Sequence, residues 1–401
     1  MGARYDVAVA GGGLAGMIAA LAMADKGLKT VLIAPEAGLQ DGRTTALMDQ
    51  SIGLLERLGL WEKVRPYSAA LSTMQIIDGT ERLLRAPTVA FKCTEIGLDA
   101  FGYNIPNAPF LSILEEAIKA HPGIELCRTT VAEAVIGAEG AELVLATGDV
   151  IEARLVIGAD GRKSKIREAA GISVRTWSYP QTALVLNFAH SLPHGNVSTE
   201  FHTPSGPFTQ VPLPGNNSSL VWVLRPEDAL RMASLEPAEL GMKIESRMQS
   251  MLGKVTVTGK PQTWPLSGMT ASRFGKASAI LVGEAGHVFP PIGAQGLNLS
   301  LRDIMTAAEL IGEDLGTGGN LAIGDRFDSR RRADILARTA SVDLLNRSLL
   351  SGFLPVQILR AAGLSLLAGL SPLRNAVMQE GIEPGRATRN LPRRLREKIS
   401  R

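Results

Sequence analysis

The segment Gly11-Gly-Gly-Leu-Ala-Gly16 constrains the fold of this chain more than any other. It fits G-x-G-x-x-G and stands between residues 6–10, short and apolar like a strand, and residues 14–26, an Ala-rich run of helical character; residues 30–34 are again β-like. The order strand, glycine turn, helix, strand is a βαβ unit. Gly11 permits the tight turn, Gly13 lets the backbone approach a pyrophosphate, and Gly16 lets helix and strand pack closely, which leaves the first helical N–H groups, around Leu14 and Ala15, aimed at the anion. A lone match reads equally well as a turn without a ligand, and it is the βαβ context that favours a dinucleotide.

The carboxylate that binds the ribose should end the second strand, yet that position is Ala34, followed by Pro35 and Glu36. Two readings stay open: Glu36 swings back to the ribose, or it is a surface residue in a loop and the adenosine is held by backbone alone.

With 401 residues the chain is long enough for two domains and for burying a cofactor. A formal charge of +3 supplies no global field for nucleic acid, although residues 386–401 carry seven Lys or Arg against the one acid Glu397. Cys93 and Cys127 lack metal-ligand spacing and form no disulfide framework, so we expect no metal site and a reducing, cytoplasmic setting. The N-terminus runs straight into residues 5–10 and reads as a first strand rather than a signal. The apolar stretch 353–373 is interrupted by Pro355, Arg360 and Pro372, which argues against a transmembrane helix.

Further helices are expected over residues 51–60 and 111–120, and strands within 123–136, 142–157 and 279–282. Between 179 and 223 short strands alternate with Pro-Gly and Gly-Asn-Asn turns, the pattern of an antiparallel sheet, and from residue 298 the chain reads as mostly helical.

Two more motifs decide which dinucleotide is meant. Ile157-Gly-Ala-Asp-Gly-Arg-Lys-Ser-Lys-Ile-Arg167 and Ala279-Ile-Leu-Val-Gly-Glu-Ala-Gly-His-Val-Phe-Pro-Pro-Ile-Gly-Ala-Gln-Gly-Leu-Asn298 each follow a strand and open a helix. With Gly11–Gly16 they resemble, in order and spacing, the three signatures of class A FAD-dependent monooxygenases, the fold of para-hydroxybenzoate hydroxylase. The chemistry suits the residues. A carboxylate at Glu284, where the family usually has Asp, can accept ribityl hydroxyls. The loop 290–298, feeding a helix, directs N–H groups of Gly296, Leu297 and Asn298 and a helix dipole at the ring, which becomes anionic on reduction.

The resemblance further implies that Pro291, Gly293 and Gln295 line the catalytic side of that loop and that Asp160 and Arg167 brace the flavin domain. It sets Arg43 near the flavin and its pyrophosphate, and Val131 where relatives offer backbone to adenine; the Val131 side chain itself reads as plain core. Asn107 stands where many relatives have Arg. His287 reads as structural, since the family does not use it as a base. There is no second dinucleotide fingerprint, in keeping with NAD(P)H that visits transiently, or a protein electron donor. The implied chemistry is ring hydroxylation through a flavin C4a-hydroperoxide.

Residues 42–61, Tyr179-Pro-Gln-Thr-Ala183, Gly206-Pro-Phe-Thr-Gln-Val-Pro-Leu213, Arg302-Asp303 and the stretch 354–373 resemble the subgroup that hydroxylates polyprenylated phenols in ubiquinone biosynthesis. Hydroxylases of 4-hydroxybenzoate anchor the substrate carboxylate with Ser and Arg before a strand like Val211-Pro-Leu, whereas here Thr203-Pro-Ser-Gly-Pro-Phe-Thr-Gln210 holds no arginine. A buried carboxylate without a partner is costly, which favours an uncharged phenol. The competing readings are a hydroxylase of a soluble aromatic acid, and a catalytically weak flavin-binding scaffold in a quinone-biosynthesis complex. Residues 358–367 read either as an amphipathic helix that, with the basic tail, contacts the inner face of a membrane, or as a core helix with a solvated tail. A homodimer and contacts to other quinone-biosynthesis proteins are compatible with the family.

The fold expected is α/β: a Rossmann-like FAD-binding domain in three parts (1–75, 105–175, 276–330), an antiparallel-sheet substrate domain (76–104 and 176–275) and a helical C-terminal region (331–401).

Overall fold

The computed structural model describes residues 3–36, 42–80, 87–291, 295–317, 322–350 and 369–382. The first strand, β1 (Ala3–Ala10), sits inside a sheet whose order is Gly275–Lys276, Ala279–Leu281, Val150–Gly158, β1, β2 (Thr30–Ile33) and Ile124–Cys127. The last five strands pair in parallel, and the hairpin Val131–Ile136 with Ala141–Leu145 adds to Val150–Gly158 in antiparallel register. Parallel strands covered on both faces need unbroken apolar runs, and Val7–Ala10 and Val31–Ile33 are buried throughout. The helix α1 (Leu14–Asp25) is apolar all round because it is enclosed, with the sheet on one side and the helices Asn107–Ala120 and Gln295–Thr317 on others.

The second sheet runs His287–Val288, Val255–Ala271, Val174–His190, Asn217–Leu224, Gly206–Leu213, Val197–Thr203, Thr73–Asp78 and Val89–Lys92. Its pairs are antiparallel except that between Val197–Thr203 and Thr73–Asp78. Alternation assigns its faces. Leu184, Leu186 and Phe188 join Phe201, Phe208, Leu220 and Trp222 under the helices Pro226–Ala233 and Pro237–Arg247, while Ala183, Val185 and Val223 look the other way. That other face meets the flavin-type half: Thr44 donates to Ser219 Oγ at 3.0 Å, and Asn104 Nδ2 to Pro212 O at 2.9 Å. A small sheet of Thr44–Met48, Gly102–Pro106 and Ala69–Ala70 lies at this junction.

The architecture is α/β, a Rossmann-like sheet with a largely antiparallel partner sheet and helices towards the C-terminus. Two elements exceed what periodicity gives. The helix expected from residue 111 begins at Asn107, because Pro109 falls in the first turn, where its missing N–H is not needed. The antiparallel region extends from Val174 to Ala271 and recruits Thr73–Asp78 and Val89–Lys92 from far upstream. Among the described residues no helix is long and apolar enough to cross a membrane. The segment 351–368, with its candidate amphipathic helix, and the basic tail 386–401 lie outside the described residues.

Candidate flavin site

Gly11 has φ +120°, and a Cβ there would meet Ala159 O at 2.2 Å. At Gly16 a Cβ would lie 2.0 Å from Gly11 O, so α1 and the turn touch backbone to backbone. Gly13 differs: its backbone is extended and nothing lies within 4 Å of where a Cβ would be. It caps α1 without any side-chain hydrogen bond, and no acid stands in the first turn. The N–H groups at Leu14, Ala15 and Gly16 are thus left for an anion approaching through that open space.

The tight packing also explains the absent ribose acid. Ala34 is fully buried, with its Cβ 2.6 Å from where a Cβ of Gly12 would stand, so this position belongs to the floor of the turn. Glu36 is exposed two residues further on, and Val131 is half-buried at the start of its strand.

The second motif packs on the first, since the backbone of Ala159 and Asp160 is what Gly11 abuts. Asp160 Oδ2 accepts from the N–H of Lys165 at 2.7 Å and of Ile166 at 3.3 Å, and Ser164 Oγ accepts from Arg167 N–H, which together start the helix Lys165–Ala169. Asp160 Oδ1 is buried without a protein partner, a vacancy of the kind a ligand donor fills. Arg167 donates to Ala285 O and Arg162 O, both at 2.8 Å, and so bolts the second motif to the third. Burial lowers its pKa, against the attraction of Asp160.

In the third motif, Gly283 has φ +65° and lies close to Ala15 and Ser300, which brings Glu284 to the junction of two helix starts. Glu284 is half-exposed and accepts from Arg162 Nε at 2.9 Å, while Arg162 Nη1 also donates to Ser267 Oγ. A paired carboxylate keeps free lone pairs for ribityl hydroxyls. The third motif then opens the long helix Gln295–Thr317. Gly296 is exposed with nothing within 4 Å of its Cβ position, and Leu297 is half-buried. Asn298 is buried, and its side chain is committed to the protein: Oδ1 accepts from Met48 N–H and Ser51 Oγ, and Nδ2 donates to Ala46 O. Its side chain therefore aligns the helix start with the strand Thr44–Met48. Pro291 is exposed, Gln295 accepts from Arg338 at 3.0 Å, and Gly293 lies outside the described residues.

Arg43 holds its guanidinium 4.9 Å above the Trp264 ring, and its carbonyl accepts from Asn107 N–H. Asn107 is buried and accepts from Thr45 Oγ1 at 2.7 Å. Beside it, Ser219 receives Thr44 Oγ1 and stands opposite Val211 on the neighbouring strand. His287 is buried against Asp303, 2.9 Å away, a structural setting. Sequence reasoning missed Arg162 and the arginines 331 and 338, whose partners are remote in sequence; the charged i, i+3 and i, i+4 spacing of Arg331, Asp334 and Arg338 was the available signal.

Two helix N-termini with no acid in the first turn, two glycines pressed against backbone (Gly11 and Gly16), an open space at Gly13 and an orphaned buried carboxylate oxygen together fit FAD. The comparisons agree. Residues 4–340 match the FAD binding domain family. A ubiquinone hydroxylase of Rhodospirillum rubrum is 33% identical, covering 96% of this chain and 93% of its own. The 3-demethoxyubiquinol 3-hydroxylase of Escherichia coli is 30% identical over 90% of this chain and 93% of its own. Among solved structures, p-nitrophenol 4-monooxygenase from Pseudomonas putida superposes with TM-score 0.77 at 18% identity, covering 95% of this chain and 98% of that one, a likeness of fold.

Proposed function

Since the chain belongs to the class A FAD-dependent monooxygenases, in the family of the ubiquinone-biosynthesis hydroxylases, and is an FAD-dependent aromatic hydroxylase, we propose that it hydroxylates the ring of a polyprenylated phenol on the way to ubiquinone. When bound, FAD supplies the activation of dioxygen and the transfer of one oxygen atom, with reducing equivalents from NAD(P)H. The protein's own residues hold and exclude. The start of α1 takes the diphosphate, Glu284 accepts ribityl hydroxyls, and the N–H groups from Gly296 to Asn298 meet the negative charge that the ring gains on reduction.

The observation that carries the substrate reading is the strand face beside Ser219. Val211 and Leu213 share that face and are apolar, and the approach Thr203–Gln210, where hydroxylases of 4-hydroxybenzoate place Ser and Arg, holds no arginine. Desolvating a carboxylate against two aliphatic side chains is unfavourable, whereas an uncharged phenol with an isoprenoid tail gains from it. Arg43, the nearby cation, is engaged by Trp264.

Lipid extracts of cells with and without the gene test the reading. A polyprenyl phenol lacking one oxygen should accumulate in the deletion and disappear on complementation. An unchanged quinone pool, in cells with no second hydroxylase for that position, overturns the quinone assignment and leaves the soluble aromatic acid as substrate.

A further inference from the structure

His287, before residues 288–294, and Gln295, after them, are both fastened to one ladder of charges between the helices Gln295–Thr317 and Ile323–Leu350. At the first end, His287 Nε2 lies 2.9 Å from Asp303 Oδ2, and the His287 ring stacks on Phe289 at 5.5 Å and 4°. Asp303 Oδ1 accepts from Arg331 Nε at 2.8 Å, and Arg331 Nη1 pairs with Asp334 at 2.8 Å. Asp334 also pairs with Arg302 at 3.5 Å and accepts from Arg338 Nε at 3.0 Å. Arg338 Nη1 closes the run by donating to Gln295 Oε1 at 3.0 Å, at the start of the helix Gln295–Thr317.

The ladder is unbalanced. The guanidiniums of Arg302, Arg331 and Arg338 face the carboxylates of Asp303 and Asp334, which leaves one positive charge in excess before His287 is counted. Solvent does little to screen it, because the side chains of Asp303 and Arg331 are 0% and 9% exposed and those of Arg302 and Arg338 13% and 16%. Burial, and then repulsion from Arg338, bring Arg302 down to about 10, so it remains charged at neutral pH. The excess lies behind the helix start whose N–H groups already favour an anion.

We propose that Arg338 is a positioning residue for the flavin: through Gln295 it fixes the first turn of the helix Gln295–Thr317, and with its ladder it sets a positive potential that favours the reduced, anionic cofactor over the oxidised one. Reduction adds two electrons and one proton to the ring system, so a fixed positive charge stabilises the product and not the reactant. The inference rests on FAD binding alone and is independent of the phenol assigned as substrate.

The test is the midpoint potential of the FAD-loaded full chain without substrate, measured by equilibration with a reference dye. Arg338→Met should lower the reduced-to-oxidised ratio at fixed potential about tenfold, which is about 30 mV for a two-electron couple. Asp334→Asn adds to the positive excess and should raise the ratio, and Arg338→Lys, which keeps the charge, should stay within a few-fold of wild type. A structural disturbance alone moves both charge-altering variants in one direction, and that outcome, or no change in either, overturns the inference. Should Asp334→Asn fail to fold, equal potentials for Arg338→Met and Arg338→Lys overturn it instead.

Discussion

Gly13 and Gly16 occupy one turn for different physical reasons, and substitution separates them. A Cβ at Gly16 would collide with Gly11 O, so Gly16→Ala should destabilise the apoprotein by about 3 kcal/mol or more, read by denaturant unfolding. A Cβ at Gly13 would meet only open space, so Gly13→Ala should leave apoprotein unfolding unchanged yet weaken FAD binding about tenfold or more, read by flavin fluorescence titration. Equal FAD affinity in wild type and Gly13→Ala contradicts the assignment of that space to the cofactor. At this scale the sequence was legible wherever the signal was local. The glycine roles follow from spacing, and His287 as a structural residue agrees with its bond to Asp303. What sequence left open were side-chain partners distant along the chain, such as Arg162 with Glu284, 122 residues apart. Ala34 was visible as a departure, but its reason, contact with Gly12, requires the folded turn.

The elements that build the site are held by side chains that never need to touch a ligand. Asn298 is the clearest: three hydrogen bonds join the start of the helix Gln295–Thr317 to the strand Thr44–Met48 and to the helix Asp49–Arg57. Asn298→Ala would leave the part-buried Met48 N–H without its acceptor, and we expect a loss of about 2–3 kcal/mol in unfolding free energy together with weaker FAD retention. A variant as stable as wild type would contradict the bracing role. The βαβ unit was legible because two short apolar runs flank a glycine turn and an Ala-rich helical run within about thirty residues. The eight-stranded sheet was only partly legible, since Thr73–Asp78 joins Val197–Thr203 across more than a hundred residues and no local pattern encodes that pairing.

Across the molecule, the helix Ile323–Leu350 spans about 42 Å and ties the two sheets together. Near one end Asp325 and Asp328 accept from Ala277 N–H and Phe274 N–H beside the parallel sheet; near the other, Asp343 accepts from Tyr179 OH and Asn346 Nδ2 donates to Gln181 on the antiparallel one. Burial, and then the bond to Asp343, push Tyr179 from 10.0 up to about 12. A pKa raised by folding favours the folded state below the unfolded value and is lost as pH rises through the folded one. Wild type should therefore lose stability more steeply than Tyr179→Phe between pH 10 and about 12, as followed by denaturant unfolding, and parallel curves would contradict the tie. The measurement that tests the central claim most directly is turnover of the FAD-loaded protein with a reduced nicotinamide and isotopically labelled dioxygen, offered a polyprenyl phenol and 4-hydroxybenzoate in parallel. The account predicts one labelled oxygen in the ring of the prenylated phenol and none in the acid. Label in the acid alone, or oxidation of the nicotinamide with peroxide as the sole product, would contradict it.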